Sequence, residues 1–167
     1  MIKISCYQTT QSQLAKTFCQ LTEKCYYSNL KTNVFTENED YSQNLDRVLW
    51  TYSKKHFIPH ATSLDPLPEK QPVFITHNLN EYNQAEIIIF VNPSQKTILE
   101  SFSKNSIIKS KVVQKILFIY DDIQKLHFDA INKLLEKSYI NKFAISAFSQ
   151  ANSGAWEKSD PLSNHTN

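Results

Sequence analysis

Apolar and polar residues alternate at the start of the chain, and the pattern then changes to a helical spacing. The alternation over Ile2–Tyr7 predicts a half-buried β-strand. The next apolar side chains recur every three or four residues, as on the buried face of a helix: Leu14, Phe18, Leu21 and Cys25. Ser12 stands just before them, and its hydroxyl can cap the first turn. We assign this helix to the core.

The same change from strand to helix spacing recurs in the next part of the chain. Thr32–Thr36 predicts a short strand, and the acidic residues of Glu37–Asp40 suit the N-terminus of a helix because of its macrodipole. The buried stripe of that helix consists of Leu45, Val48 and Leu49. Pro59 has no N–H to donate and disfavours helical geometry in the residue before it. We therefore expect the helix to end within Trp50–Ser53.

Two further strands are predicted in the middle of the chain. Residues 61–70 are punctuated by prolines and predict a loop, after which Val73–Thr76 predicts a strand. Ile87–Val91 is a continuous apolar run, which is typical of a strand covered on both faces. We place it at the centre of the sheet. Ser94 is the candidate cap of a short helix around Ile98.

The last third of the chain predicts a strand, the longest helix and a final strand. Residues 101–111 are polar and irregular, and Ile116–Tyr120 is another apolar strand. Asp121 and Asp122 then favour the start of a helix. The buried stripe of that helix consists of Ile123, Leu126, Ala130, Ile131 and Leu134. Phe143–Ser149 predicts the final strand.

Strands that alternate with helices indicate an α/β fold with a mostly parallel sheet and helices on both faces. A chain of 167 residues suits a single core, and we expect one domain over residues 1–158. Trp156 is expected to anchor its end. The polar residues 159–167 are predicted to be disordered.

Composition argues against several classes of function. Gly154 is the only glycine, whereas phosphate-binding loops need several, so no nucleotide cofactor is expected. A formal net charge of +2 is too small for strong binding of nucleic acid through bulk charge. The cysteines and histidines lack metal-site spacing, so no metal is expected. With no signal-peptide pattern and no run of about 18 apolar residues, we expect a cytoplasmic protein without a membrane partner.

The end of the second predicted helix and the turn after it carry the most specific motif. It reads Leu-Asp-x-x-Leu-Trp over Leu45–Trp50, then a short polar loop, then Phe-Ile-Pro-His over Phe57–His60. This order resembles the chi subunit of bacterial DNA polymerase III, and the resemblance extends to Lys3–Tyr7, Phe143–Ser146 and Gly154–Lys158. The family implies a Rossmann-like sheet, in agreement with the pattern above. It also implies a non-catalytic accessory subunit of the clamp loader in DNA replication.

The resemblance implies two binding surfaces. Trp50 and Phe57 lie in the region where chi subunits dock the partner subunit psi or a helicase, although from the sequence alone either side chain could equally be part of the core. In chi, the long helix binds the acidic C-terminal tail of single-stranded DNA-binding protein, a case of acidic-peptide capture by fixed cations. The corresponding residues here are Lys125, Asn132, Lys133 and Lys137. Asn132 falls where the family has its arginine, and Glu136 falls where another cation is expected, so this site departs from the family pattern. Nucleic acid would be contacted only indirectly.

Two other functions stay open on the sequence alone. Asp121 and Asp122 follow an apolar strand, at the place where α/β enzymes put catalytic carboxylates. A small enzyme using this pair, with His60 as a further group, is one alternative, although helix capping explains the pair equally well. A protein-interaction adaptor outside replication is the other.

Overall fold

The computed structural model describes residues 2–103, 111–121 and 143–159. The strands in this part of the chain are β1 (Ile2–Thr9), β2 (Thr32–Phe35), β3 (His60–Thr62), β4 (Val73–Thr76), β5 (Ile87–Val91), β6 (Lys115–Asp121), β7 (Phe143–Gln150) and β8 (Trp156–Ser159). The α-helices are α1 (Leu14–Tyr27), α2 (Glu39–Tyr52) and α3 (Gln95–Ser103).

The described strands form one sheet in the order β3-β4-β2-β5-β6-β1-β7-β8. Neighbouring strands are parallel except for β7 and β8, which are antiparallel. β5 is the fourth of the eight strands, and all five of its residues are buried. The predictions of a mostly parallel sheet and of β5 at its centre are confirmed.

Helices cover both faces of this sheet. On one face α1 and α2 contribute Phe18 and Leu45 to a core cluster that includes Ile89 of β5. On the other face Ile98 of α3 joins a second cluster that includes Phe90. Successive residues of β5 thus point to opposite layers, as the pleat of a strand requires. The predicted Rossmann-like α/β architecture is confirmed.

Part of the predicted proline-punctuated loop is a strand. β3 pairs with β4, with His60 opposite Val73, and a 3₁₀ turn covers Pro68–Lys70. The prediction of a loop over residues 61–70 is wrong at these positions. A strand of three residues is too short to show an alternating pattern, and it is recognised only by its pairing with β4.

Two other predicted boundaries are also wrong. Ser12 does not cap α1, because it lies in a 3₁₀ turn over Gln11–Gln13 that precedes the helix, and no side chain caps α1. α3 continues to Ser103, into the segment predicted as irregular.

Trp156 anchors the end of the domain as predicted, because its ring meets that of Tyr7 edge-on with centroids 5.2 Å apart. It begins strand β8, which follows a turn with Gly154 at a φ of +83°. Glycine reaches this left-handed region at no steric cost.

The longest predicted helix, after Asp122, lies outside the described residues. The same is true of residues 160–167, so their predicted disorder stays a prediction, although Ser159 belongs to β8 rather than to the tail. Among the described helices, none is both long enough and apolar enough to span a membrane.

Candidate functional site at the end of the second helix

The two ends of α2 are fixed by side chains that bond to backbone N–H groups. At its start, the Asn38 side chain accepts a hydrogen bond from a first-turn N–H at 2.8 Å. The first turn carries two acidic residues, as predicted from the macrodipole. At its end, Ser53 is extended, and its hydroxyl accepts a hydrogen bond from the N–H of His56 at 3.1 Å. The helix therefore ends at Tyr52, within the predicted range.

Two stripes of α2 face different parts of the protein. The buried stripe consists of Ser42, Leu45 and Leu49. The neighbouring stripe, at positions that share a helical face, consists of Gln43, Asp46 and Trp50. Gln43 Nε2 donates a hydrogen bond to Thr62 Oγ1 at 3.2 Å, and both Asp46 and Trp50 contact His60. This second stripe therefore lies along the edge strand β3.

Trp50 and Phe57 stand side by side at the surface. Trp50 is 58% exposed and Phe57 is 54% exposed. Their ring centroids are 5.0 Å apart with 36° between the planes, within the range in which aromatic pairs attract each other. Neither side chain belongs to the core. Adjacent exposed apolar side chains of this size are typical of interaction sites.

His60 lies beneath this pair, and its side chain is fully buried. Its ring centroid is 5.2 Å from that of Trp50 and 6.2 Å from that of Phe57. Nδ1 lies 2.6 Å from the carbonyl oxygen of Ile58, and Nε2 lies 3.2 Å from the carbonyl oxygen of Asp46 and 3.3 Å from its Oδ1. Burial raises the pKa of the Asp46 carboxyl, and His60 pulls it in the opposite direction. The imidazole thus joins α2 to the turn that carries Phe57.

Two further exposed rings, those of His56 and Tyr27, adjoin this pair. His56 precedes Phe57 in the chain, and its Nδ1 lies 3.4 Å from Oε1 of Glu23 on α1. Its ring meets that of Tyr27 edge-on, with centroids 5.8 Å apart, and Tyr27 is 56% exposed. The sequence reasoning missed Tyr27, although its place off the buried stripe of α1 is a usable signal. We call the set Tyr27, Trp50, His56 and Phe57 the aromatic surface.

The chain matches a family model over residues 1–115, which is more than half of its 167 residues and includes the whole aromatic surface. That model describes the DNA polymerase III chi subunit, HolC. The chain belongs to the DNA polymerase III chi subunit family. A relative from Rickettsia prowazekii (strain Madrid E), named probable DNA polymerase III subunit chi, is 36% identical over 163 residues, which cover 95% of this chain and 92% of the relative. The predicted resemblance is confirmed.

One solved structure shows a weaker likeness to this chi-family protein. It is described as Mss116p DEAD-box helicase domain 2 bound to an RNA duplex. The match covers 86% of this chain but 64% of that one, with 12% identity and a TM-score of 0.49. This chain therefore spans less than two thirds of that structure, and a likeness at this level bears on neither fold nor function.

The chi-family fold places Asp121, the first member of the predicted carboxylate pair, inside the protein. Asp121 is the last residue of β6 and is 4% exposed. Its Oδ2 accepts a hydrogen bond from Asn92 Nδ2 at 2.9 Å, and its N–H donates to Asn92 Oδ1 at 3.0 Å. Asn92 follows β5 at a φ of +47°, in the left-handed region that asparagine tolerates. Asp121 thus connects the ends of two neighbouring strands. Asp122 lies outside the described residues.

The other group proposed for an enzyme site, His60, lies far from Asp121. His60 is the first residue of β3, and successive register partners lead from it across the sheet to Lys115, the first residue of β6. Four strand spacings separate these two positions, about 19 Å. Asp121 stands at the opposite end of β6. The structure does not bring His60 and Asp121 into one site.

The remaining predicted site residues are Lys125, Asn132, Lys133 and Lys137, and all of them lie outside the described residues. Within the described ranges, no group of three or more histidine, cysteine, aspartate or glutamate side chains could hold a metal ion. The cysteines in this part of the chain are buried and free of disulfides, and burial raises the pKa of the Cys6 and Cys19 thiols to about 12. These two thiols are therefore poor nucleophiles.

Proposed function

We propose that this chi-family protein is a non-catalytic subunit of the DNA polymerase III holoenzyme that links the clamp loader to single-stranded DNA-binding protein. The observation that carries the proposal is the exposed pair Trp50 and Phe57, which lies within the part of the chain that matches the chi family. Large aromatic side chains held in a defined arrangement are typical of protein-binding hot spots. In this role the surrounding subunits supply the polymerase chemistry.

The aromatic surface docks a clamp-loader subunit of the psi type, or a helicase. Trp50 and Phe57 can each bury about 150–250 Å² when fully covered, and each begins more than half exposed. Because they already contact each other and His60, little side-chain entropy is left to lose when a partner covers them. A surface fixed in advance in this way favours tight docking.

The acidic tail of single-stranded DNA-binding protein binds at a second surface, on the helix predicted to follow Asp122. Its residues are Lys125, Asn132, Lys133 and Lys137. Lysines attract carboxylates as point charges without the bidentate geometry of arginine, so affinity in the micromolar range is expected, about −8 kcal/mol at 1 µM. Because this attraction is electrostatic, salt weakens it.

A fluorescent peptide with the tail sequence of the organism's own single-stranded DNA-binding protein tests this function. We expect its anisotropy to rise on addition of the full chain, less so at high salt and less so with Lys133→Ala. The matched control is Lys16→Ala, which removes an exposed lysine of α1. The purified clamp-loader complex, added next, should raise the anisotropy again, because the two surfaces are separate.

Two variants separate the binding of the tail peptide from the binding of the clamp loader. Lys133→Ala weakens only the binding of the peptide, and Trp50→Ala removes only the binding of the clamp loader. If the folded wild-type protein binds no tail peptide at either salt concentration, the proposed link to single-stranded DNA-binding protein is wrong. If the clamp loader binds but displaces the peptide, the two surfaces overlap and the linking role fails.

A further inference from the structure

His60 has an oxygen atom close to each of its ring nitrogens. Nδ1 lies 2.6 Å from Ile58 O, and Nε2 lies 3.2 Å from Asp46 O and 3.3 Å from Asp46 Oδ1. A backbone carbonyl can only accept hydrogen bonds, and the same holds for an ionised carboxylate. A neutral imidazole donates from one nitrogen and accepts at the other, so either tautomer would turn a lone pair towards a carbonyl oxygen. Because the His60 side chain is fully buried, no water molecule can bond to the unpaired atoms, and this mismatch would lower the stability of the fold.

We infer that His60 is a doubly protonated positioning residue that holds Trp50 and Phe57 in place for the docking partner. The imidazolium donates from both nitrogens and so satisfies both oxygen contacts at once. The inference rests on the proposed function for the identity of the partner, but its structural part stands on the contacts of His60.

The imidazolium acts on Trp50 through two kinds of contact. Its ring centroid is 5.2 Å from that of Trp50, within the distance at which a cation attracts an indole ring. Its hydrogen bonds join α2, which carries Trp50, to the turn that carries Phe57. Loss of either hydrogen bond frees one aromatic ring from the other. The freed rings must then be ordered when the clamp loader covers them. This costs side-chain entropy and lowers the affinity for the clamp loader.

The charges around His60 set the direction of the pH effect. Asp46 faces it from α2, and Asp65 and Arg47 act on Asp46 from further away. The pair is disrupted when Asp46 gains a proton as the pH falls, and burial makes this protonation easier by raising the pKa of Asp46. We therefore expect the clamp loader to bind more weakly as the pH falls and Asp46 is protonated.

Nuclear magnetic resonance of the full-length protein tests the inference without any partner. At pH 7 we expect both ring nitrogens of His60 to carry protons in a long-range ¹H–¹⁵N spectrum, with His60→Gln used to assign the signals. We also expect nuclear Overhauser contacts between the rings of Trp50 and Phe57, which are lost in His60→Gln. One unprotonated ring nitrogen, or ring contacts that persist in the variant, would overturn the inference.

Binding of the purified clamp-loader complex gives the functional measurement. We expect His60→Gln to bind about tenfold more weakly and to lose the pH dependence that Asp46 gives the wild type on the acidic side. Asp46→Asn avoids a change in the buried ring itself, and it should produce a similar loss. The matched control is His77→Gln, an exposed histidine that follows β4 and lies outside the aromatic surface, which should bind within about twofold of the wild type.

The two proposals fail in distinguishable ways. If the wild type binds no clamp loader at any pH while His60 is doubly protonated and the rings stay in contact, the proposed function fails and the positioning by His60 stands. If the wild type binds but His60→Gln and Asp46→Asn bind equally well, the role of His60 is refuted and the docking function stands.

Discussion

The two ends of the sheet present their side chains in opposite ways. Beyond the carboxyl ends of the strands, Asp121 and Asn92 bond to each other, and Glu81 accepts hydrogen bonds from neighbouring side chains. Beside the amino end of β3, Trp50 and Phe57 turn their rings to the solvent. Ligands of α/β sheets usually bind outside the carboxyl ends. Here those polar groups bond internally while exposed aromatic rings lie at the other end, which favours protein docking over catalysis.

Truncation of the aromatic pair has the largest expected effect. Trp50→Ala and Phe57→Ala should each weaken binding of the clamp-loader complex by at least 2 kcal/mol, about thirtyfold, because hot spots centre on such rings. Stability should change by less than about 1 kcal/mol, because both side chains are more than half exposed. Calorimetric titration and urea unfolding measure the two quantities.

Leu64→Ala is the matched control for the aromatic pair. Leu64 is 66% exposed and follows the carboxyl end of β3, so it tests whether any exposed apolar side chain would matter. It should leave binding within about twofold of the wild type. Unchanged binding in Trp50→Ala and Phe57→Ala would show that the partner docks elsewhere.

The carboxyl end of the sheet should show the reverse behaviour, with a loss of stability and no loss of binding. Asp121→Ala leaves the Asn92 side chain without its carboxylate partner and should lower the free energy of unfolding by about 2 kcal/mol. Asp121→Asn keeps the shape and should cost less. Urea unfolding measures the change. An intact fold that no longer binds the clamp loader or the tail peptide would contradict this division of roles.

Glu81 should make a smaller contribution that depends on pH. Burial raises its pKa, but hydrogen bonds from Ser63, Thr76 and Asn78 outweigh burial and hold the pKa below its usual value. With the lower pKa in the folded state, the carboxylate stabilises the fold above about pH 4.3, and this stabilisation is lost as the pH falls through the folded value. Glu81→Gln should therefore cost about 1 kcal/mol at pH 7 and less near pH 3.5.

Urea unfolding at several pH values measures this difference between wild type and Glu81→Gln. Glu157→Gln, an exposed glutamate of β8, is the control and should show little effect at any pH. A gap between wild type and Glu81→Gln that widens towards acid would mean that the carboxyl is stabilised in its protonated form instead.

Most strands and helices could be predicted because the patterns that indicate them lie within a few neighbouring residues of the sequence. The apolar run at Ile87–Val91 marks the sheet centre, and Ser94 caps α3 as expected, with its hydroxyl accepting from Thr97 N–H at 3.2 Å. β3 escaped prediction because only its pairing with β4 makes it a strand. Ser12 was misjudged because a 3₁₀ turn precedes the helix that it was expected to cap.

The candidate site could be found from its motif, but its geometry could not. At about 100° per residue, Trp50 lies about 100° from Leu49 and about 140° from Leu45 around α2, on the flank of the buried stripe. A side chain at the flank of a buried stripe is buried or exposed depending on which element packs beside it. For Trp50 that element is β3, whose position the sequence pattern does not show. The contact of His60 with Asp46 likewise requires a strand that the pattern did not reveal.

Tyr27 gives the smallest expected effect and marks the limit of the docking surface. It reaches the aromatic pair through His56, and we expect Tyr27→Ala to weaken clamp-loader binding by about 0.5–1 kcal/mol, roughly two- to fivefold, as is typical at the rim of an interface. Tyr27→Phe keeps the ring and should bind like the wild type. A loss above tenfold in Tyr27→Ala would place Tyr27 inside the hot spot and move its centre towards α1. No loss at all would contradict the assignment of Tyr27 to the aromatic surface and confine docking to the rings that His60 supports.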